Sequence, residues 1–575
     1  MSPLLGTHVR PQFFPAVGIV LLAFSLAVSL WTAAALLWIE MQVPFYGDAT
    51  AYIAAGRGIV NGLVPYRDLL EIKPPGIFLI TAFSFFLSGD EGIAVLLRFV
   101  TLIGPPLFLC AHVFLSTRGL PAMRRLFLCL LAAVFAAQLL LFVVKRAGSF
   151  QTEAFGLFFA SLYVLALADG RKGWRQTALL AALILCTVGL KEPFLLSLAG
   201  AALLLLPSFR LFWDRFLFPS VLATGAGAGM LALTGWLDPY LSIYLPVIFT
   251  DRIAAGDMLL SRGLFVLNVV TDITRYHPLI PWTGYAIVIL ALLSPVFRSR
   301  VRYPWHISFL VVPLCVLGAA WLGGYSYVII RTIVSQGVAV ITPQVLSVYV
   351  LRLLGTIAVL CLLVLRAPRL LPSVGAVLGA LYLATLAAGA ANFQYAQHYL
   401  SAIPVYVALF LLCIRYLAET NARRRARVVG TIVGMVLFMT AAQFPLANIA
   451  EKREEIREIG NYIDVSRNRA RAVDALLDAC GIDRYFLLKD WWIPAFTRHS
   501  PLDLFWVEMR AMSAQPDPAM HRRFFDRLAR AAVIVAASGE LPDNPEFLAR
   551  LRRDFSPEPP PCAQGKNVPA GMAVF

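Results

Sequence analysis

The sequence predicts an α-helical polytopic membrane protein of about 13 transmembrane helices, with a small extracytoplasmic α/β domain at its C-terminus. Three observations carry that prediction. Hydrophobic residues make up 59% of the 575 positions and charged residues only 14%, too little polar surface for a soluble chain of this length. The apolar residues gather in runs of about 20, the length that crosses roughly 30 Å of hydrocarbon. Basic residues fall in short clusters between the runs, as the positive-inside rule expects of cytoplasmic loops. The net charge of +16 is therefore topological, and nucleic acid is not an expected partner.

The first run, Phe14 to Trp38, is too long for a signal-peptide core, and no small-residue cleavage site follows it. It reads as an uncleaved first helix with a cytoplasmic N-terminus. Basic clusters at His8–Arg10, Arg118–Arg125, Arg171–Arg175, Arg210–Arg215, Arg298–Arg302, Arg366–Arg369 and Arg423–Arg427 mark the same side. Between successive markers the chain must cross an even number of times.

Parity settles two ambiguous stretches. Gly76 to Ser88 is too short to span at ~1.5 Å per residue, and a crossing there would put Arg118–Arg125 outside. It reads as an interfacial or re-entrant helix between the first span and the next, near 93–115. Thr177 to Pro207 lies between two cytoplasmic markers, so it should be two short helices. Lys191-Glu192-Pro193 forms the turn between them at the outer surface. Further spans are expected near 126–144, 153–168, 215–237, 279–297, 305–322, 343–365, 370–389, 399–417 and 428–446. The membrane domain is thus 1–449, with a first outer loop at 40–90 that carries the interfacial helices.

An odd number of crossings places 450–575 outside. That tail opens with a charged helix, Glu451–Cys480, followed by strand-like runs at Tyr485–Leu488 and Ala532–Ala536. Six of the eight cysteines lie in apolar runs. The other two, Cys480 and Cys562, either form one disulfide in an oxidising compartment or remain two thiols.

The charges that carry chemistry are expected on the outer side. The first loop reads Tyr46-Gly47-Asp48, then Gly62-Leu63-Val64-Pro65-Tyr66-Arg67-Asp68, then Glu71-Ile72-Lys73-Pro74-Pro75. A carboxylate at the membrane surface can orient or deprotonate a hydroxyl, and a lysine beside it can hold a phosphate as a point charge. On composition alone these are equally ordinary loop charges. Lys145 and Arg146 break the charge bias by falling at an outer turn, as phosphate contacts or as snorkelling side chains. Glu153 opens a span, as a helix N-terminal charge or a buried functional group. Lys191 and Glu192 sit at a helix break, and His398-Tyr399 opens a late helix. Arg252, Arg262 and Arg275 are outer-loop charges, and outer-loop tyrosines fit an interfacial belt.

The acid just after the first span, G-x-x-P-Y-x-D, and an acid before K-P-P resemble the polytopic GT-C glycosyltransferases. The likeness is to bacterial relatives of the dolichyl-phosphate-mannose–protein mannosyltransferases and of the lipid A aminoarabinose transferase. Arg98 and His398-Tyr399 with Pro404 fit the same likeness, which covers about the first 210 residues well and the rest mainly by helix count and the His-Tyr element. It implies a bacterial inner-membrane enzyme moving a monosaccharide from a polyprenyl-phosphate donor to an extracytoplasmic lipid, glycan or protein, with inversion. Asp48 would be the catalytic base or acceptor-orienting group. Lys73 would meet the donor phosphate, helped by Lys191, Lys145 and Arg146. Asp68, Glu71, Glu153, His398 and Tyr399 would be acceptor-side or secondary groups. No cofactor is certain; a divalent metal ion at Asp68 and Glu71 is the one candidate. Two departures stand against it: Ala49 follows Asp48 where many members carry a second acid, and Ile72 separates Glu71 from Lys73. The rival classes are a lipid or oligosaccharide transporter (flippase), which predicts charges at mid-membrane depth, and an O-antigen ligase or polymerase, which predicts a large late outer loop.

Overall fold

The computed structural model describes residues 13–248 except 44, 148–149 and 207, scattered residues between 376 and 387, 396–419, and 446–574 except 489–491, 513–517, 537–542, 556–560 and 564–572. The expected spans near 279–297, 305–322 and 343–365 lie outside the described residues, as do Arg252, Arg262 and Arg275, and of the span expected near 428–446 only Leu446 is described.

The described chain is predominantly helical. The first helix, α1 (Phe13–Met41), leads through a short connector to α2 (Asp48–Val60) and α3 (Pro75–Ser88). Pro75 sits at the start of α3, where its missing N–H has no partner to lose, and Gly89 ends it with φ 75°. There follow α4 (Gly92–Ser116), α5 (Ala122–Ala147), α6 (Thr152–Asp169), α7 (Trp174–Leu190) and α8 (Phe194–Leu205). The break between α7 and α8 falls at Lys191-Glu192-Pro193, as the parity argument requires.

Next come α9 (Phe209–Phe212) and α10 (Phe218–Leu233), joined without interruption by one π turn, Trp213–Leu217. Arg210 and Arg215, expected in a loop, are therefore on a helix. The Arg215 guanidinium donates to the carbonyls of Gly170 and Arg171 at 2.8 Å each, satisfying acceptors just beyond the C-terminus of α6. α11 (Leu237–Pro239) runs into a second π turn, Tyr240–Tyr244. A 3₁₀ turn, Ala396–Ala402, precedes α12 (Ile403–Glu419).

Among the described residues, five helical stretches are long and apolar enough to cross a membrane: Leu22–Met41, Gly92–Ser116, Ala122–Lys145, Thr152–Asp169 and Phe209–Leu233. The architecture is that of an α-helical membrane protein. Large apolar side chains face outward from it, Trp31 and Trp38 on α1 and Phe83 and Phe86 on α3 among them. Inside, α4 to α8 and α12 enclose one apolar core, with Phe135 and Phe410 stacked at 4.2 Å.

The tail begins with a 35-residue helix, α13 (Leu446–Cys480). Then come β1 (Arg484–Leu488), α14 (Ile493–Phe496), β2 (Ser500–Pro501), α15 (Phe505–Ala511), α16 (Pro518–Leu528), β3 (Ile534–Ala536), α17 (Pro545–Asp554) and β4 (Ala573–Val574). The sheet order is β2-β1-β3-β4; β1 pairs in parallel with β2 and β3, and β3 antiparallel with β4. Cys480, at the end of α13, is disulfide-bonded to Cys562. A second apolar core joins the tail to the first loop: Tyr52, Tyr66 and Phe78 share it with Phe486, Phe524 and Phe547.

Candidate functional site

Asp48 is the first residue of α2, reached through Gly47 at φ 60°. A carboxylate in the first turn of a helix is favoured by the helix dipole. Lys73 lies on the far side of the loop. Pro74 after it favours extended backbone at Lys73, and the Tyr66 hydroxyl donates to the Lys73 carbonyl at 2.9 Å. The two segments bring Lys73 Nζ to 2.9 Å from Asp48 Oδ2. Tyr52, one turn along α2, donates its hydroxyl to the same oxygen at 3.4 Å.

A second set of charges converges beside this pair. Glu153 opens α6 and is fully buried; its Oε1 stands 2.8 Å from Lys191 Nζ and 3.3 Å from His398 Nε2. Its other oxygen accepts from the Thr152 hydroxyl at 3.0 Å. His398 is held in its 3₁₀ turn by Ser401, whose hydroxyl donates to the His398 carbonyl at 2.7 Å. The Ser197 hydroxyl of α8 in turn donates to the Ser401 carbonyl. Lys191 is buried against Glu153, so the expectation that it lies at an outer surface is corrected. Desolvating an ammonium demands an anionic partner, and Glu153 supplies it. Glu192 turns the other way and accepts the Tyr244 hydroxyl at 2.5 Å.

The two sets feel each other. The Lys73 ammonium holds the Asp48 carboxyl below its ordinary value against the cost of burial, with Lys191 helping and Glu153 opposing. Burial works against the charge on Lys73, but Asp48, Tyr52, Glu153 and Glu71 outweigh it and keep Lys73 protonated. Glu71 is buried too, and burial pushes its carboxyl up to about 7, with Asp48 adding to the rise and Lys73 opposing it. Of the ion-paired groups Asp48 is the most open, its side chain 35% exposed against 12% for Lys73. The cluster therefore opens at Asp48.

A close backbone contact sets the spacing between the halves. A Cβ on Gly76 would come within 2.5 Å of the Gly189 carbonyl oxygen, so α3 and the end of α7 touch with no side chain between them. Lys73 and Lys191 flank that contact.

Of the other expected site residues, Asp68 stands apart. Its Oδ2 is 2.9 Å from Arg67 Nη2 and accepts the Val64 N–H at 2.8 Å. Lys145 lies in the last turn of α5; the side chains of Arg146 and Tyr399 fall outside the described residues. The donor set for a metal ion does not fit. Asp68 is committed to Arg67, Asp48 to Lys73, and Glu71 Oε1 accepts its neighbour's N–H at 2.9 Å. Among the described residues no group of three or more His, Cys, Asp or Glu is placed to hold a metal ion.

One group had escaped the sequence reading. Glu40, at the end of α1, has no exposed surface and pairs with Arg98 Nη2 at 2.6 Å and Lys452 Nζ at 2.7 Å. An acid within a turn of a span end is itself the signal that finds it. Comparison with family models, with curated proteins and with solved structures found no match for this chain.

Proposed function

We propose that the chain is a membrane glycosyltransferase that moves a monosaccharide from a polyprenyl-phosphate donor to an extracytoplasmic acceptor. One observation carries the reading: Asp48 and Lys73, far apart along the loop, form an ion pair beside the buried Glu153–Lys191–His398 group. The sequence resemblance and the charge parity that puts these segments on one side support it. So does the Cys480–Cys562 bond, which fits an oxidising compartment for the tail.

The chemistry follows from the pair. While Lys73 holds Asp48, the carboxylate is a poor base. A donor phosphate arriving at Lys73 competes for the ammonium and frees Asp48 to orient the acceptor hydroxyl. That oxygen attacks the anomeric carbon, the bond from carbon to phosphate oxygen breaks, and the acceptor proton passes to Asp48. Lys73 and Lys191 meet the charge growing on the leaving phosphate, the electrostatic term that usually dominates. A single displacement inverts the anomeric centre.

The test is transfer from labelled polyprenyl-phosphate sugars in membranes. Asp48→Asn and Lys73→Ala are each expected to lower transfer by about 10²-fold or more. Full transfer by both variants at normal protein levels would remove the assignment. Label that crosses the bilayer with no new covalent product would point to a flippase, and activity restricted to oligosaccharide donors to a ligase or polymerase.

A further inference from the structure

We infer that the C-terminal segment is a clamp that positions Asp48 and Lys73 against each other, with Lys452, Asp503 and Arg523 as positioning residues. The inference rests on the reading of Asp48 and Lys73 as the working pair. The tail grips the approach to each of them.

On the Asp48 side, the connector from α1 is held at two points just before the acid. The Lys452 ammonium, from α13, donates to the Tyr46 hydroxyl at 2.9 Å while pairing with Glu40. The Tyr46 hydroxyl donates in turn to Glu40 Oε1 at 3.2 Å. Phe496 of α14 stacks on Phe45 with centroids 5.5 Å apart. From the membrane side, Arg98 Nη1 donates to the Val43 carbonyl at 3.3 Å. The far end of α2 is held as well: Arg57 donates to the carbonyls of Pro494, Ala495 and Thr497.

On the Lys73 side, the tail holds the backbone from Tyr66 to Leu70. Arg523 donates to the Tyr66 carbonyl at 2.8 Å and the Arg67 carbonyl at 3.0 Å, and Arg527 also reaches the latter. Asp503 pairs with Arg523 and accepts the Leu70 N–H at 2.7 Å. Arg484 donates to the Asp68 carbonyl at 3.1 Å. Tyr66 has φ 65°, a left-handed conformation that is strained for a bulky residue and persists only where its surroundings impose it. The imposed residue is the one whose hydroxyl holds the Lys73 carbonyl. Arg523 thus acts on Lys73 through Tyr66, and Lys452 acts on Asp48 through Tyr46. A site needs such supporting contacts because small displacements of reacting groups cost large factors in rate.

The test reads geometry without activity. In the full chain carrying Asp48→Cys and Lys73→Cys, the ion pair is gone and only the scaffold holds the two positions. A short bis-maleimide, which adds one cysteine thiol at each end, then links them, and mass spectrometry of the joined peptides gives the yield. Adding Arg523→Ala or Lys452→Met is expected to lower that yield about tenfold, because the effective concentration of one thiol at the other falls. Arg523→Lys and Lys452→Arg should recover part of it. The Cys480–Cys562 bond, read on the same digest, should stay intact. Should Arg523→Ala lose that bond, Asp503→Asn replaces it, keeping the shape of the contact and removing its charge. A yield within about twofold of the parent, with the tail disulfide formed, overturns the clamp. Lost yield in the variants together with no sugar transfer by the unmodified protein would sink the transferase reading and leave the clamp standing.

Discussion

Two groups of charges sit side by side in this molecule, and they are built to opposite specifications. Around Glu40 the central charges are matched and buried: Arg98 takes one carboxylate oxygen, Lys452 the other, and neither Glu40 nor the Arg98 side chain retains exposed surface, while Lys452 reaches the half-exposed Glu455 at the rim. Around Glu153 one oxygen is shared between Lys191 and His398, and the neighbouring pair ends in a carboxylate left partly open. A closed network fixes one arrangement of its helices. A network with an open member can exchange a partner for an incoming anion. The contrast separates a buried fastening from a cluster with an open carboxylate where residue types alone do not.

The comparison can be broken first at its stiff end. Arg98→Met leaves Glu40 buried with half its compensation, and unfolding in detergent should show a loss of about 3–5 kcal/mol. Lys73→Ala, at a pair that is partly solvated, should cost far less stability while abolishing transfer. Equal stability losses in the two variants would erase the distinction.

A pH profile sharpens it. Glu71 has its folded value raised from an ordinary 4.5 to about 7 by burial, so the folded state binds its proton more tightly than the unfolded chain. The stability this contributes is complete below about 4.5 and is lost as pH rises toward 7. Asp48 runs the other way, its lowered value contributing stability that disappears as pH falls. Glu71→Gln should therefore flatten the profile between about pH 5 and pH 8, and raise the melting temperature most at the alkaline end. An unchanged slope would show that Glu71 is not the titrating group. The smallest effect is expected at Arg67, which is 61% exposed in its pair with Asp68. Arg67→Ala should shift stability by no more than about 0.5 kcal/mol.

Much of this was legible before any coordinates. Apolar runs and basic clusters located α1 and α3 to α8 closely, and the split at Lys191-Glu192-Pro193 followed from charge parity, whereas α2 (Asp48–Val60) lay in what read as a polar loop. Asp48, Lys73, Glu153, Lys191 and His398 stood out because ionised side chains are rare in so apolar a chain. Their pairing was not legible. Nothing in the spacing of Glu153 and His398, on distant helices, says that they meet. Glu40 escaped notice because its partner Lys452 lies in the tail. The burial of Lys191 was missed for a related reason: a polar turn between two spans is ordinarily solvated, and only the packing of α6 and the 3₁₀ turn against it shows otherwise. The grip of the tail on Tyr66 depends on backbone carbonyls, which every residue has and no sequence pattern marks.

The contact between Gly76 and Gly189 has a consequence for how such a site tolerates change. Gly76 has no room for a Cβ, whereas one on Gly189 would meet nothing within 4 Å. The contact is thus permissive on one side and strict on the other. An extra methyl group on α3 would act as a shim, lifting the segment that carries Lys73 away from the end of α7 and Lys191. The separation of the segments that carry the two lysines is gauged by a single absent carbon atom.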